Sequence, residues 1–181
     1  MKRSVLIALV IVSFASLAFA QGGSIGVFSD AGGSDCNFAD AGSLVQVYFF
    51  HVNHTGATAS QWMLDLGGLP WMHLGDTWNV PTTIGSSVFG ISLGYGGCLP
   101  APSYLGVANF FGSVSPVCST IQIVPDPLAP TGTIESVDCT LPQPIKYVAT
   151  GGTGILNSDG TCNCNIPVEE TTWGGVKALY Q

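Results

Sequence analysis

Positive charge is nearly missing from this sequence. It holds 4 Lys and Arg against 11 Asp and Glu, and its single arginine is Arg3. Past residue 20 only Lys146 and Lys177 remain, and two cations less eleven carboxylates leave a formal charge of −9. Nucleic-acid affinity comes largely from Lys and Arg neutralising phosphates, so nucleic acid is excluded as a partner. Anionic membrane surfaces are disfavoured for the same reason. Helical periodicity is missing too, with no useful apolar stripe before the last residues. No apolar stretch beyond residue 20 is long enough to span a bilayer. Catalytic signatures are scarce: His-Glu-x-x-His, a phosphate-binding Gly-Lys-Ser/Thr loop and Ser-x-x-Lys are all absent. The acids sit mainly in turns with Gly and Ser, where Asp stabilises the turn itself. A non-enzymatic protein is therefore expected, with a secreted hydrolase the least favoured alternative.

What is present begins with an export signal. Lys2 and Arg3 precede an apolar run over residues 5–14, and Ala18-Phe19-Ala20 forms a small-x-small cleavage site. Residues 1–20 are read as a signal peptide, 21–167 as one domain and 168–181 as a C-terminal tail. The expected location is extracellular, on the cell surface or in the periplasm. All six cysteines, Cys36, Cys98, Cys118, Cys139, Cys162 and Cys164, follow the signal. An even number in an exported chain reads as three disulfides. Cys98 is expected to pair with Cys118, because the two flank one apolar strand segment. Cys162 and Cys164 are expected to pair outward, one with Cys139 and the other with Cys36.

Short apolar runs broken by Gly and Pro predict strands over 24–28, 44–52, 58–66, 87–93, 105–111, 120–124, 133–139, 145–150 and 153–156. Their spacing favours a two-sheet antiparallel, Ig-like β-sandwich, closed by a short C-terminal helical turn. Trp62, Leu64 and Leu66 share one strand face, which makes Trp62 a core residue. Residues 44–52 are apolar on both faces and belong mid-sheet. Pro125, Pro127 and Pro130 cannot donate to a ladder, so their segment leaves the sheet or runs along an edge.

Several groups are candidates for binding. Asp30, Asp35, Asn37 and Asp40 crowd one loop and offer the oxygen ligands that calcium takes. Trp71 and Trp78 are less clearly strand-patterned than Trp62 and are candidates for stacking on a polysaccharide. His51 and His54 stand three apart at a strand end, so joint metal ligation with His73 requires a bend between them. Trp173, Lys177 and Tyr180 make the tail a candidate recognition element.

The runs Ser24-Ile25-Gly26-Val27-Phe28-Ser29-Asp30, Asp35-Cys36-Asn37, Gly56-Ala57-Thr58-Ala59-Ser60-Gln61-Trp62 and Tyr95-Gly96-Gly97-Cys98 carry a resemblance. So do Val124-Pro125-Asp126-Pro127 and Trp173-Gly174-Gly175-Val176-Lys177-Ala178-Leu179-Tyr180. Together they resemble uncharacterised secreted proteins of environmental Gram-negative bacteria, a group that implies no particular activity. The strand order is also loosely similar to that of cohesin-type sandwiches, which are protein-binding modules. The cohesin-type likeness implies a protein-binding module. The residues as a whole lead to the expectation of a secreted or surface-associated interaction or structural module. Its expected partner is an extracellular protein or, in the alternative of a carbohydrate-binding module, a polysaccharide.

Overall fold

Alternating inward and outward residues, punctuated by turns, fold into two sheets facing one another across a single main core. The computed structural model describes residues 22–164. Its strands are β1 (Ser24–Phe28), β2 (Asn37–Phe38), β3 (Leu44–Val52), β4 (Ala57–Asp65), β5 (Met72–Trp78), β6 (Thr82–Ser86), β7 (Gly90–Leu99), β8 (Ser103–Phe111), β9 (Ser119–Val124), β10 (Glu135–Val137), β11 (Lys146–Val148), β12 (Thr150–Gly151) and β13 (Thr153–Leu156). One sheet runs β12-β1-β3-β8-β5. The other runs β11-β10-β4-β9-β13-β2, with β7 also on β4 and β6 on β7. The all-β sandwich is as expected, although β1–β12 and β13–β2 are parallel ladders in an otherwise antiparallel fold. The expected tail turn, with Trp173, Lys177 and Tyr180, lies outside the described residues.

β3 shows why a strand can be apolar on both faces. Val45, Val47 and Phe49 enter the main core, where the Phe49 ring lies 4.8 Å from Trp62 and 5.5 Å from Trp78. On its other face Phe50 meets Phe28 edge-on at 5.3 Å and Tyr104 at 5.2 Å, beneath Cys36 and Cys164. Trp62 is fully buried, as its strand face predicts. β9 and β10 follow one path along β4, with Val124 opposite Met63 and Glu135 opposite Gln61. The Pro125–Pro130 segment loops out between them, because proline has no N–H to give the ladder.

The disulfides are Cys36–Cys164, Cys98–Cys139 and Cys118–Cys162. Cys164 with Cys36 is one of the two outward pairs expected, whereas Cys98–Cys118 and Cys162–Cys139 are overturned. The reason is sheet order. β7 and β10 both pair with β4, through Ala57↔Leu99 and Ala59↔Val137, so Cys98 and Cys139 arrive at the same end of β4. They close over Gly56, where a Cβ would sit 3.1 Å from both sulfurs. Cys118 and Cys162 flank the paired strands β9 and β13, whose Ser119 lies opposite Leu156. Three disulfides suit an oxidising, extracellular or periplasmic environment. Among the described residues no helix is long and apolar enough to cross a membrane.

Candidate interaction surfaces

The side chains that the sequence marks for chemistry are mostly engaged with each other. Trp71 is buried, its ring 5.4 Å from Phe110, and its indole N–H donates to Asp40 Oδ2 at 2.8 Å and to Ser115 Oγ at 3.0 Å. Trp78 packs against the core. Neither indole is displayed as a platform for a sugar. The acidic loop does not converge either. Asp30 accepts the Ser34 amide and hydroxyl, Asp35 accepts the Asn37 amides, and Asp40 turns inward.

Asp40 holds the end of the sandwich together. Its carboxylate accepts the hydroxyl and amide of Ser115 at 2.6 and 3.0 Å, the amide of Gly42 at 3.1 Å and the Trp71 indole. Burial pushes this carboxyl up, but the hydrogen bonds from Ser115, Trp71 and Gly42 outweigh it and hold it at about 2. Asn157 locks the same loop by donating to Ser115 O at 2.7 Å. Val114, next to Ser115, is thereby held at φ 58°, a conformation rare for a β-branched residue. Its side chain stays 67% exposed, and Val117 in the same loop is exposed as well.

Beside this loop an apolar row crosses three strands. Register puts Leu44 of β3, Phe111 of β8 and Met72 of β5 side by side, and all three are at least half exposed. The neighbouring Leu74, the extra residue of a bulge between His73 and Gly75, is also exposed. The strand alternation does not anticipate this row, because β5 was not among the expected strands. Its Gly75 and bulge break the period-two pattern.

The histidines divide. A bend at Asn53, φ 56°, stacks the His51 and His54 rings 4.1 Å apart. His73 is not with them. It bonds Asp76 at 2.7 Å and sits opposite Phe110, whereas His51 sits opposite Ser103, seven residues away along β8. That separation is roughly 23 Å of strand. His51 is fully buried and neutral: Nε2–H donates to Gly22 O, and Nδ1 accepts from the Tyr95 hydroxyl, each at 3.0 Å. His54 Nδ1 accepts the Gly56 amide at 3.1 Å, so the proton of its neutral ring is on Nε2, facing Ser103 Oγ at 3.5 Å. That tautomer cannot take the Ser103 proton, which goes instead to Pro100 O at 2.6 Å. The pair is therefore not an activated nucleophile.

The sequence reading missed one motif. Gly90-Ile91-Ser92-Leu93-Gly94 has the spacing of a nucleophile elbow, but Ser92 lies mid-strand in β7, paired with Gln61 and Ile84. An elbow needs a strand-to-helix turn, and this is flat ladder. Asp159 approaches Cys118 at 3.7 Å and Cys162 at 4.0 Å, but the two sulfurs are bonded to each other and neither is a thiolate ligand.

A cleft of about 820 Å3 opens between the sheets where β12 passes into β13. Phe28, Val52, Pro102 and Ile155 contribute apolar wall, His54 contributes one edge, and no Asp, Glu or Lys lines it.

With this geometry, the chain is similar to a cohesin module from a family 33 glycoside hydrolase of Clostridium perfringens. The TM-score is 0.52 over 77% of this chain and 99% of that module. The fold is cohesin-like. Sequence identity is 7%, so the likeness speaks for the sandwich alone. No protein-family model and no curated protein matches the sequence. On this cohesin-like frame the apolar row lies on the β12-β1-β3-β8-β5 sheet, facing away from β4 and β7.

Proposed function

We propose that this chain is a secreted or surface-associated, non-enzymatic interaction module that docks a partner protein at the apolar end of its sandwich. The observation that carries this reading is the row Leu44–Phe111–Met72 beside a loop that Asp40 clamps with Val114 pointing outward. Backbone strain persists only where the surroundings over-determine it, and such positions cluster at functional sites. A rigid apolar surface also binds at less entropic cost than a mobile one. Charge narrows the partner. Lys146 is the only Lys or Arg among the described residues, and it is paired with Glu135 at 2.8 Å. The remaining surface charge is acidic, so the matching surface is an apolar depression rimmed by Lys and Arg. The signal-peptide pattern of residues 1–20 and the three disulfides support placing this encounter outside the cytoplasm.

The test uses immobilised full-length chain against the native envelope and secreted fractions. A partner bound through this end is retained by wild type and by Ile84→Asp, a change at an exposed position on the other sheet. Phe111→Asp is expected to weaken it about 30-fold, the loss of one central anchor. A partner that survives both Phe111→Asp and Met72→Asp unchanged binds elsewhere, and the reading fails.

A further inference from the structure

Strand register lays two rows of side chains across the outward face of β6, β7, β4, β10 and β11. One row is Ile84–Ser92–Gln61–Glu135–Val148. The other is Thr82–Gly94–Ala59–Val137–Lys146. Directly opposed residues of antiparallel strands share a face, and the alternate residues Trp62, Ile91 and Leu93 are the ones buried in the core. The middle of the outward face is therefore floored by small residues, Gly94, Ala59 and Ser92. They leave a trough of about 240 Å3, walled by Ile84 on one side and by Val137 and Lys146 on the other.

An apolar ridge stands beside the trough. Ile84, Phe89 and Leu128 are 70%, 77% and 82% exposed. Buried Asp126 ties their segments together. Its Oδ2 accepts the Gln61 side-chain amide and its Oδ1 the Leu128 amide, each at 2.8 Å. The same carboxylate lies so close over Gly90 that a Cβ there would collide with it. The proline excursion between β9 and β10 thereby lifts Leu128 above the sheet, next to the β6–β7 turn that carries Phe89.

Charge on this face is unlike that of the rest of the chain. Its carboxylates are Asp126 and Glu135, both buried, and Glu135 is paired with Lys146. Exposed Asp65 stands only at the end of β4. A chain with two cations and eleven carboxylates past residue 20 repels a second copy of itself, but this face adds little to that repulsion. A foreign partner is selected and oriented largely by charge across the interface, and here there is almost none to read. A two-fold contact asks for something else, a single surface that holds both a projection and the hollow that fits it. We infer that two copies of this chain pair through this face about a two-fold axis, the Ile84 ridge of each seated in the Ala59–Gly94 trough of the other. Facing sheets pack about 10 Å apart, and the small floor lets a ridge side chain enter at that spacing. The apolar row Leu44–Phe111–Met72 lies on the other sheet and stays free in the pair.

Sedimentation equilibrium reads the pairing, on the chain freed of its expected signal peptide, from about 1 to 500 µM. Mass is expected to rise from one copy to two and to stop there, because a two-fold contact closes on itself. Raising salt from about 50 to 500 mM is expected to tighten the pair several-fold, since it screens the repulsion between like-charged copies. Ile84→Asp and Leu128→Asp alter exposed residues and keep the fold, and Ile84→Asp is expected to weaken pairing at least about 30-fold. Ala59→Lys fills the trough, leaves the ridge intact and is expected to weaken pairing by a similar factor. Phe111→Asp is expected to leave it unchanged. A single-copy mass throughout overturns the proposal, and so does growth beyond two copies, which needs a head-to-tail contact. Pairing that survives Ile84→Asp and Leu128→Asp runs through another face, and pairing lost to Phe111→Asp runs through the apolar row; either result overturns it. A different protein from the envelope or secreted fractions that Ile84→Asp alone releases claims this face for itself and also overturns the proposal.

Discussion

Asp40→Ala is expected to lower stability by about 3–4 kcal/mol, because it removes the single acceptor shared by several buried donors. The indole N–H of Trp71, the hydroxyl and amide of Ser115 and the amide of Gly42 all end on this carboxylate. Trp71 and Ser115 are buried, so water does not readily replace the lost acceptor. For a domain of this size the change corresponds to a fall in melting temperature of roughly 10 °C. Asp40→Asn keeps one acceptor oxygen but turns an amide toward other donors, and is expected to fall between alanine and wild type. The effect is also directional. Without the clamp, Val114 has no reason to stay at positive φ, so exchange at residues 112–118 rises before the rest of the fold loosens. Calorimetry with residue-resolved exchange checks both parts. A melting temperature within about 2 °C of wild type, which corresponds to about 1 kcal/mol or less, shows that the carboxylate is not what holds this end.

Acidification from pH 7 to about pH 4 is expected to cost the fold roughly 3 kcal/mol through His51 alone. Burial pushes the His51 ring down from 6.5 to about 4, opposed by the bond to Gly22 O and reinforced by neighbouring His54. The folded state keeps this ring neutral while the unfolded chain protonates it at its ordinary value. Stability therefore begins to fall as pH drops through about 6.5, and the loss levels off near 4, where the folded state itself takes the proton. His54 is shifted the same way by its own burial and adds to the same slope. Asp40 acts in a lower window: held at about 2 instead of 3.8, it withdraws its support only as pH falls below about 4. Urea midpoints across pH 4–7.5 read the slope directly. His51→Phe is destabilised at every pH, having left Gly22 O and the Tyr95 hydroxyl without the ring, but its pH dependence over this range is expected to flatten. An unchanged slope in that variant would remove His51 as the cause.

The neutral histidine pair shows where sequence reasoning reaches its limit. Three-residue spacing at a strand end put His51 and His54 on opposite faces unless the chain bent. Whether it bent depended on Asn53 entering positive φ, which the spacing could not show. Once bent, the rings stack over one another, and the Gly56 amide fixes a tautomer on His54 that suits packing and not base catalysis. Trp71 is a comparable case. It sits in a stretch rich in Gly, Pro and turn residues, which suggested exposure, and only the arrival of Asp40 and Ser115 from distant segments gives its indole nitrogen a buried partner. The same encounter removes Asp40 from the acidic loop, leaving Asp30 and Asp35 to cap their own turns.

The sequence by itself determined the properties that depend on neighbours along the chain. Period-two alternation settled the β character, and the two apolar faces of residues 44–52 settled a central strand, because side-chain direction in a strand is fixed residue by residue. The prolines at 125, 127 and 130 narrowed their segment to leaving the sheet or running along an edge, and composition settled an acidic domain nearly without cations. Tertiary structure alone decided which elements became neighbours. It joined Cys98 to Cys139 across β4, lined up Leu44, Phe111 and Met72 in one exposed row, and opened a cleft where β12 crosses to β13. The physical reason is that strand partnership is a long-range choice, made by the burial of whole faces and by the order of strands in a sheet, and no local pattern carries it.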